Sequence, residues 1–438
     1  MTEYTQFESF IPSRRDDVID LCIQDGKLTT EQAIKFKKLC EILSAYYHFD
    51  FHRMLEILKK DYVPFNPDTN DRLCPTLDST EIAAMEVNLT ETFEKVLQRA
   101  NYTALSDDIL QQSLEHESLV TLKTQVDFDD FAKVVFYHRG NTIRTITTRK
   151  LFRQTEHDIE VLERVVLLLK FKDSDQAQDH PDNPGKIYIY LYKNIPKNDL
   201  ELLFPNIKIS MTWKDRFLFV IPALGAGISV IFKAFPNILL IVGVILFFVL
   251  GPSVAQRIGV NQNDVDNIMP ILVALLSVVI ALGSVAFKQY TSYKNKRLEF
   301  LKVVTDTLFF RNLGSNASVF HVVIDDAEEE ECKEIILVYY HLVTHDGPLT
   351  PEQLDIKIEE WMTHKYGVKI DFDIDQTLCQ LEALRGKIIR EGDDIPTEVA
   401  LLTRDDHGLC HVLPLDEAMT VIDQVWDDVF QYSHRGIV

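Results

Sequence analysis

The chain has 438 residues, enough for two or three domains of about 100–200 residues each. It carries 67 acidic and 45 basic residues, for a formal net charge of -22 at pH 7. Because nucleic-acid binding depends on clustered lysine and arginine, this charge excludes nucleic acid as an expected partner. The six cysteines lie far apart without a Cys-x-x-Cys pair, which indicates reduced thiols rather than a disulfide framework or a zinc site.

The first segment, residues 1–116, is predicted to be helical because its apolar residues recur at helical spacing. Thr29 and Gln32 form a capping box at the start of one helix, and Asp78 with Glu81 marks the start of a second. The N-terminus lacks the apolar core of a secretory signal peptide, so we expect no cleaved leader.

In residues 117–214 apolar and polar residues alternate with a period of two, and the segment is rich in β-branched and aromatic residues. Five such runs predict an antiparallel β region that packs with the preceding helices. The runs read LVTLKTQV, FAKVVFYHRG, NTIRTITTR, VLERVVLLLKF and KIYIYLYKNI.

An apolar block predicts a transmembrane region at residues 215–290. Residues 217–250 contain one charge, Lys233, and residues 268–287 contain none. The second run has the roughly 20 residues that an α-helix needs to cross about 30 Å of hydrocarbon. We therefore expect an integral membrane protein, with the lipid bilayer as a partner.

The number of membrane crossings depends on how this block is interpreted. Its three apolar runs, residues 217–232, 237–251 and 268–287, would place the flanking regions on opposite sides. Basic residues flank both ends of the block, whereas Arg257 is the only basic residue in the sequence between positions 252 and 267. The positive-inside rule places both basic flanks on the same side of the membrane, which requires an even number of crossings. We predict a hairpin of two crossings in a bacterial inner membrane or an organellar membrane. Both termini would lie on the cytoplasmic, matrix or stromal side.

The region after the block divides into two predicted parts. Residues 291–330 are expected to form a juxtamembrane linker helix and an acidic segment, whose charges suit a helix N-terminus. Residues 331–438 follow the order helix, helix, helix, hairpin, which predicts a winged-helix-like domain, and a fragment from Ala317 to Val438 is expected to fold by itself. The predicted fold class is an α+β multidomain membrane protein: N-terminal helices plus antiparallel sheet, an α-helical transmembrane hairpin and this C-terminal domain.

Several stretches, taken in order, resemble those of one protein family. They read FIPSRRDDVIDL, YVPFNPD, FYHRG, LYKNIPKNDLELLFP and LFFRNLGSNASVFHVVIDDAEEEECKEIILVYYHL. With these stretches the chain is similar to domain-of-unknown-function family 3754, which includes the transmembrane protein 143-like membrane proteins. The resemblance implies a membrane protein with water-soluble flanks, found in bacteria and organelles. It implies no established activity.

Five residues form the candidate site for a ligand or for acid–base chemistry: Asp127, Asp129, Asp130, His138 and Arg139. They combine an acidic cluster, a titratable imidazole and a guanidinium near an expected strand end. Such a group can bind a phosphate or a carboxylate, or transfer protons. The structural alternative is a hairpin with a solvated acidic turn and an Arg–Asp pair.

A possible metal-ligand spacing occurs on one predicted helix. His341 and His345 stand four residues apart, with Glu334 two turns earlier. No glutamate stands where an HExxH motif would place one to activate water. The imidazoles also suit a helix C-terminus, where positive charge is favoured, so we predict no metal there.

A calcium-loop spacing is matched in part by Asp371, Asp373, Asp375 and Glu382. The sixth loop position requires glycine for its sharp turn, but this chain has Gln376. The alternation of aspartates with Phe372 and Ile374 predicts a strand followed by a helix instead. We therefore predict no metal and no cofactor.

Three classes of function remain open from the sequence. The first is a membrane-anchored protein-interaction or scaffold protein, with protein partners and a homo-oligomer as one possibility. The second is an oligomeric channel or transporter. The third is a membrane-anchored enzyme that uses the Asp127–Arg139 region. The sequence lacks P-loop, nucleophile-elbow and dinucleotide-binding signatures, which favours the first class.

Overall fold

A computed structural model describes most of the chain outside the apolar block. The described residues are 7–8, 10–69, 77–105, 123–126, 128–150, 153–172, 185–205, 208–210, 242, 245, 249, 268–367, 369–372, 374–390 and 395–433. The chain divides into two compact units. The larger combines residues 1–116, 128–200 and 311–438, and the smaller combines residues 117–127 and 201–310.

Three helices open the larger unit: α1 (Arg15–Gln24), α2 (Thr30–Tyr62) and α3 (Ser79–Arg99). The predicted capping boxes are present at the start of α2 and of α3. In α2, for example, the Thr29 N–H donates to Gln32 Oε1 at 2.9 Å. These local hydrogen bonds satisfy backbone donors that the first helical turn leaves without partners, which explains why both starts could be predicted.

The sheet of the larger unit has five strands in the order β2 (Thr103–Ala104), β4 (Phe131–Lys150), β5 (Arg153–Phe171), β6 (Ile187–Pro196) and β8 (Asn312–Ser315). All its pairs are antiparallel. The strand β3 (Lys123–Gln125) instead pairs with β7 (Lys208–Ser210), in the smaller unit.

Two of the predicted β runs form one continuous strand, because Gly140 does not make a turn. Arg139 and Asn141 on either side of it stay paired with β5. Gly140 has a φ of +71°, and a Cβ there would lie 2.9 Å from the Glu163 side chain. Glycine is therefore needed for a backbone irregularity within β4.

The predicted transmembrane hairpin is corrected. Within the residues that the structure describes, no helix combines the length and the apolar composition needed to cross a membrane. The run 268–287 begins the 44-residue helix α4 (Ile268–Arg311), which continues into a segment rich in lysine and arginine. The prediction had treated this run as a separate helix with polar ends. The runs 217–232 and 237–251 lie outside the described residues apart from three positions.

This correction extends to every prediction that rested on the hairpin. It removes the membrane part of the fold class, the description as a transmembrane protein and the multi-pass localisation in a bacterial inner or organellar membrane. Among the described side chains of α4, Leu272, Leu276 and Ile280 are exposed.

The helix α5 (Ala317–Val343) lies at the centre of the larger unit, where it contacts α1, α2 and α3. Phe320 packs edge-on against Tyr62 and Phe93, with ring centroids 5.2 and 5.3 Å away. The acidic run predicted at a helix N-terminus lies instead in the middle of α5. Glu330 and Glu331 in this run are only 2% and 1% exposed.

The C-terminal elements belong to the larger unit, and several of them contact α5. They are α6 (Pro351–Tyr366), β9 (Lys369–Ile370), α7 (Ile374–Ala383), β10 (Arg385–Ile388), β11 (Thr397–Ala400), β12 (Leu402–Arg404), β13 (Cys410–Val412) and α8 (Leu415–Ser433). β10 pairs with β11 and β12 with β13, while Leu349 bridges to Cys410. The winged-helix assignment and the predicted domain boundaries stay predictions.

The position of α5 changes the expectation for the isolated fragment Ala317–Val438. Removing α1–α3 would expose Phe320 and the Tyr340 ring. The Tyr340 ring packs against Phe36, with ring centroids 5.8 Å apart. The removal would also leave Glu331 without Arg99. Each buried apolar side chain contributes about 1.5–3 kcal/mol, a large part of a typical net stability of about 5–15 kcal/mol. We expect this fragment to melt without a cooperative transition in circular dichroism, whereas a sharp transition would contradict the central role of α5.

Candidate functional site

The structure separates the predicted site residues. Asp129 and Asp130 lie in a short 3-10 helix just before β4, and Asp127 is outside the described residues. Arg139 lies nine residues beyond Asp130 on the same strand, which is about 30 Å at 3.3 Å per residue. Asp129 and Asp130 therefore lie far from the Arg139 guanidinium, which pairs instead with Asp326. A ligand-binding role for these residues stays a prediction.

His138 and Arg139 are neighbours on β4, so their side chains point to opposite faces of the sheet. His138 is partly buried, and its Nδ1 is among the buried atoms of the described structure that make no hydrogen bond. Burial lowers the pKa of His138, and the positive charge of Lys197 lowers it further. The imidazole is therefore held in its neutral form, away from the guanidinium.

Arg139 forms ion pairs with acidic residues of α5. Its Nη2 donates to Asp326 Oδ1 at 3.0 Å, and its Nη1 lies 3.9 Å from Glu330 Oε1. Nη1 also donates to the Ala100 carbonyl at 3.3 Å, and the guanidinium is 7% exposed. Burial opposes the charge of Arg139, but Asp326 in particular outweighs it and raises the pKa of the guanidinium. The acidic partners come from nearly 190 residues further along the chain.

Two more buried cations meet this stretch of α5. Arg99 binds Glu331 in a bidentate manner, through Nε to Oε2 and Nη2 to Oε1, both at 2.5 Å. The Arg99 guanidinium stacks over the Phe51 ring, with Cζ 4.0 Å from the ring centroid. Lys333 donates to Glu330 Oε1 at 2.7 Å and is 2% exposed. Arg139, Arg99 and Lys333 thus pair with three of the six acidic residues at positions 325–331.

Glu334 is the one buried carboxyl of this group without a cation in the described hydrogen bonds and ion pairs. Asn101 Nδ2 donates to its Oε1 at 2.9 Å, and the Thr377 hydroxyl lies 3.3 Å from its Oε2. Burial raises the pKa of Glu334 to about 8, with Glu330 and Glu331 adding to the rise and the two hydrogen bonds opposing it. The carboxyl is therefore mostly protonated at neutral pH.

We refer to these residues as the α5 charge cluster: Arg99, Arg139, Asp326, Glu330, Glu331, Lys333 and Glu334. With Glu334 neutral, three cations face three carboxylates, and this balance is what allows so many charges to be buried together. Within the α5 charge cluster, Glu330, Glu331, Lys333 and Glu334 are each no more than 8% exposed. The cluster is therefore part of the core of the larger unit.

The alternative metal spacings do not form sites in the described structure. No group of three or more histidine, cysteine, aspartate or glutamate side chains there is placed to hold a metal ion. His341 is fully buried beside Trp361, with ring centroids 5.3 Å apart, and burial lowers the pKa of His341 to about 3. His345 is instead half-buried, with Nδ1 2.9 Å from the Gly347 carbonyl oxygen.

The calcium-loop residues are also used by the fold. Asp375 lies in the first turn of α7, and Asp373 is outside the described residues. Glu382 accepts two hydrogen bonds from Arg404, at 2.6 and 2.9 Å. The short strand β9 precedes α7, as the alternating sequence predicts, while the Arg404–Glu382 pair was not anticipated.

A second feature is an open groove of about 710 Å³ between β10 and α8. Its lining residues are Lys387, Ile388, Ile389, Arg390, Asp416, Glu417, Thr420 and Gln424. Gln424 bridges the two walls. It accepts from the Lys387 N–H and donates to the Lys387 carbonyl, both at 2.7 Å. Gly386 permits this approach, since a Cβ there would lie 3.1 Å from the Val421 Cα.

Sequence reasoning missed both features. For the α5 charge cluster a signal was present, because apolar runs flank the acidic run on both sides and indicate a helix buried all round. The cations Arg99 and Arg139 could not be assigned to it from spacing. The groove depends on the packing of β10 against α8, for which the sequence carries no local signal.

These features describe an α+β protein built around a buried, charge-paired helix. Residues 162–318 match the family described as protein of unknown function (DUF3754), which confirms the resemblance predicted from the sequence. The matched segment begins in β5 and ends at the start of α5. No solved structure matches the chain.

Proposed function

We propose that this protein is a protein-interaction or scaffold protein that holds an extended, basic peptide segment of a partner in the groove between β10 and α8. The groove carries the proposal, because it is an open concave surface with backbone, charged and apolar groups close together. The Asp127–Arg139 region offers less support for an enzyme, since Arg139 is buried against Asp326 and Glu330.

The charge of α8 favours a basic partner. The helix contains no lysine or arginine. Asp423 and Asp427 are exposed and stand four residues apart, so they share one helix face, on which Asp416 already pairs with Lys35 at 2.7 Å. A peptide with lysine or arginine would meet complementary charge there, which favours association and its specificity.

The other wall supplies apolar and backbone groups. Ile389, which lines the groove, is 68% exposed, a large value for isoleucine. The Gln424 amide bonds both backbone groups of Lys387, so an extended peptide that adds to this edge of β10 would take the place of the Gln424 amide.

A photo-crosslinking amino acid at Thr420 of the full chain tests this function in cells. We expect adducts with a protein segment rich in lysine or arginine, since Thr420 lines the groove and is exposed. The same group at Val87, exposed on α3, is the control. Replacing both Asp423 and Asp427 by lysine should reduce the Thr420 adduct about fivefold or more, because like charges repel.

Two results would contradict the proposal. One is an equal adduct yield from Thr420 and Val87, which would indicate random contact. The other is an adduct that survives the two charge reversals in a variant with unchanged thermal stability.

A further inference from the structure

The described residues of the segment before α1, 7–8 and 10–14, contact α5 and β9 as a bound peptide would. We name this segment the N-terminal strap. Its strand β1 (Phe7–Glu8) pairs in parallel with β9, Phe7 opposite Lys369 and Glu8 opposite Ile370. The strap is therefore joined to the C-terminal elements as an added strand, one of the known ways in which proteins bind extended peptides.

Charged side chains of α5 bind the backbone of the strap. Glu330 Oε2 accepts the Ile11 N–H at 3.0 Å. Lys333 Nζ donates to the Ile11 carbonyl at 2.6 Å and to the Ser13 carbonyl at 3.0 Å. At the start of α1, the Arg15 N–H donates to Glu329 Oε1 at 2.5 Å. Since most of these bonds are made to main-chain groups, an extended backbone is the ligand that they select.

Two side chains of the strap anchor it beside these bonds. Phe10 lies against the guanidinium of Arg139, with its ring centroid 5.1 Å from Cζ. Ile11 is 2% exposed. An aromatic ring on a cation and a buried aliphatic side chain, set next to directed backbone hydrogen bonds, are the elements of a specific peptide site.

The receptor side of this site is buried and charged. Glu330 and Lys333 are each 2% exposed, and the strap provides two of the three hydrogen bonds that Lys333 Nζ makes in the described structure. Without the strap, this ammonium would keep only Glu330. Buried charges need such partners, so the α5 charge cluster is complete only when an extended segment lies over it.

We propose that Glu330, Lys333 and Arg139 form a peptide-binding site whose ligand is the N-terminal strap itself, held as a separable segment that can leave and rebind while the rest of the protein stays folded. This site lies apart from the groove between β10 and α8. The inference is independent of the proposed function.

A protease recognition sequence inserted between Arg14 and Arg15 of the full chain tests this proposal. After cleavage, residues 1–14 should co-elute with the folded remainder, and an excess of synthetic peptide of residues 1–14 should displace them. Lys333→Met should release the cleaved strap about tenfold faster or more. Lys186→Met is the matched control, since Lys186 is also buried and donates to a carbonyl, that of Pro64 at 3.1 Å.

A second measurement keeps the protein unchanged and alters only the peptide. The cleaved protein, freed of its strap, is titrated with peptide 1–14 carrying an N-methyl group at Ile11, which removes the N–H that Glu330 accepts. Binding should weaken about tenfold or more relative to the peptide methylated at Thr2.

Three outcomes would overturn the proposal. The cleaved strap could leave at once from a remainder that keeps its melting transition. Its departure could unfold the remainder, which would make it part of the core. The Ile11-methylated and Thr2-methylated peptides could bind equally.

Discussion

Replacing Arg99 by methionine is expected to lower the free energy of unfolding by about 3–5 kcal/mol, because it leaves a buried carboxylate without its cation. Glu331 is 1% exposed and receives two hydrogen bonds from Arg99. The loss should appear as a lower midpoint in chemical denaturation with an unchanged slope. Arg53→Met, at an exposed position on α2, is the control and should change stability by less than about 0.5 kcal/mol.

A double substitution distinguishes two causes of the lost stability: the unpaired charge of Glu331 and the lost packing of the Arg99 side chain. When Arg99 and Glu331 are both replaced by methionine, no buried charge is left unpaired, and most of the lost stability should return. If the double variant were as unstable as Arg99→Met, the effect would come from lost packing on Phe51 rather than from charge.

Replacing Glu334 by glutamine is expected to remove part of the pH dependence of stability. The pKa of Glu334 is raised from about 4.5 to about 8 in the folded protein, mainly by burial. Between these values the unfolded chain loses this proton while the folded protein keeps it, so rising pH favours unfolding. At about 1.4 kcal/mol per pH unit, the wild-type chain should lose roughly 3–5 kcal/mol more than the glutamine variant between about pH 5 and pH 9.

Denaturation curves across this pH range measure the difference. At low pH the two proteins should have similar stability, since glutamine resembles the protonated carboxyl and can bond Asn101 and Thr377. Glu398→Gln, at an exposed position, should leave the pH profile unchanged. Parallel profiles for wild type and Glu334→Gln would mean that Glu334 is already ionised in the folded protein.

Local signals were enough to predict several elements. The helix starts at Thr29 and Asp78 depend on side chains three residues away, and that spacing is visible in the sequence. The period of two marked the β region, but not its division into strands. The continuity of β4 through Gly140 depends on Glu163 from the neighbouring strand.

Interactions between distant residues account for what the sequence did not indicate. An acidic run suits a helix N-terminus, and the sequence therefore predicts that position for the run in α5. Its burial depends on Arg99 and Arg139, which precede Glu331 and Asp326 by 232 and 187 residues. The apolar run at 268–287 was likewise judged by its own length, whereas the helix that contains it extends to Arg311.

Carboxyl labelling of the native protein, with a carbodiimide and an amine followed by peptide mass spectrometry, tests the burial of the α5 charge cluster most directly. Glu330, Glu331 and Glu334 should react about tenfold or more slowly than Glu31 and Asp416, whose side chains are 79% and 77% exposed. The difference should disappear in denaturant. Equal labelling rates in the native protein would place the acidic run in solvent and contradict a charge-paired core.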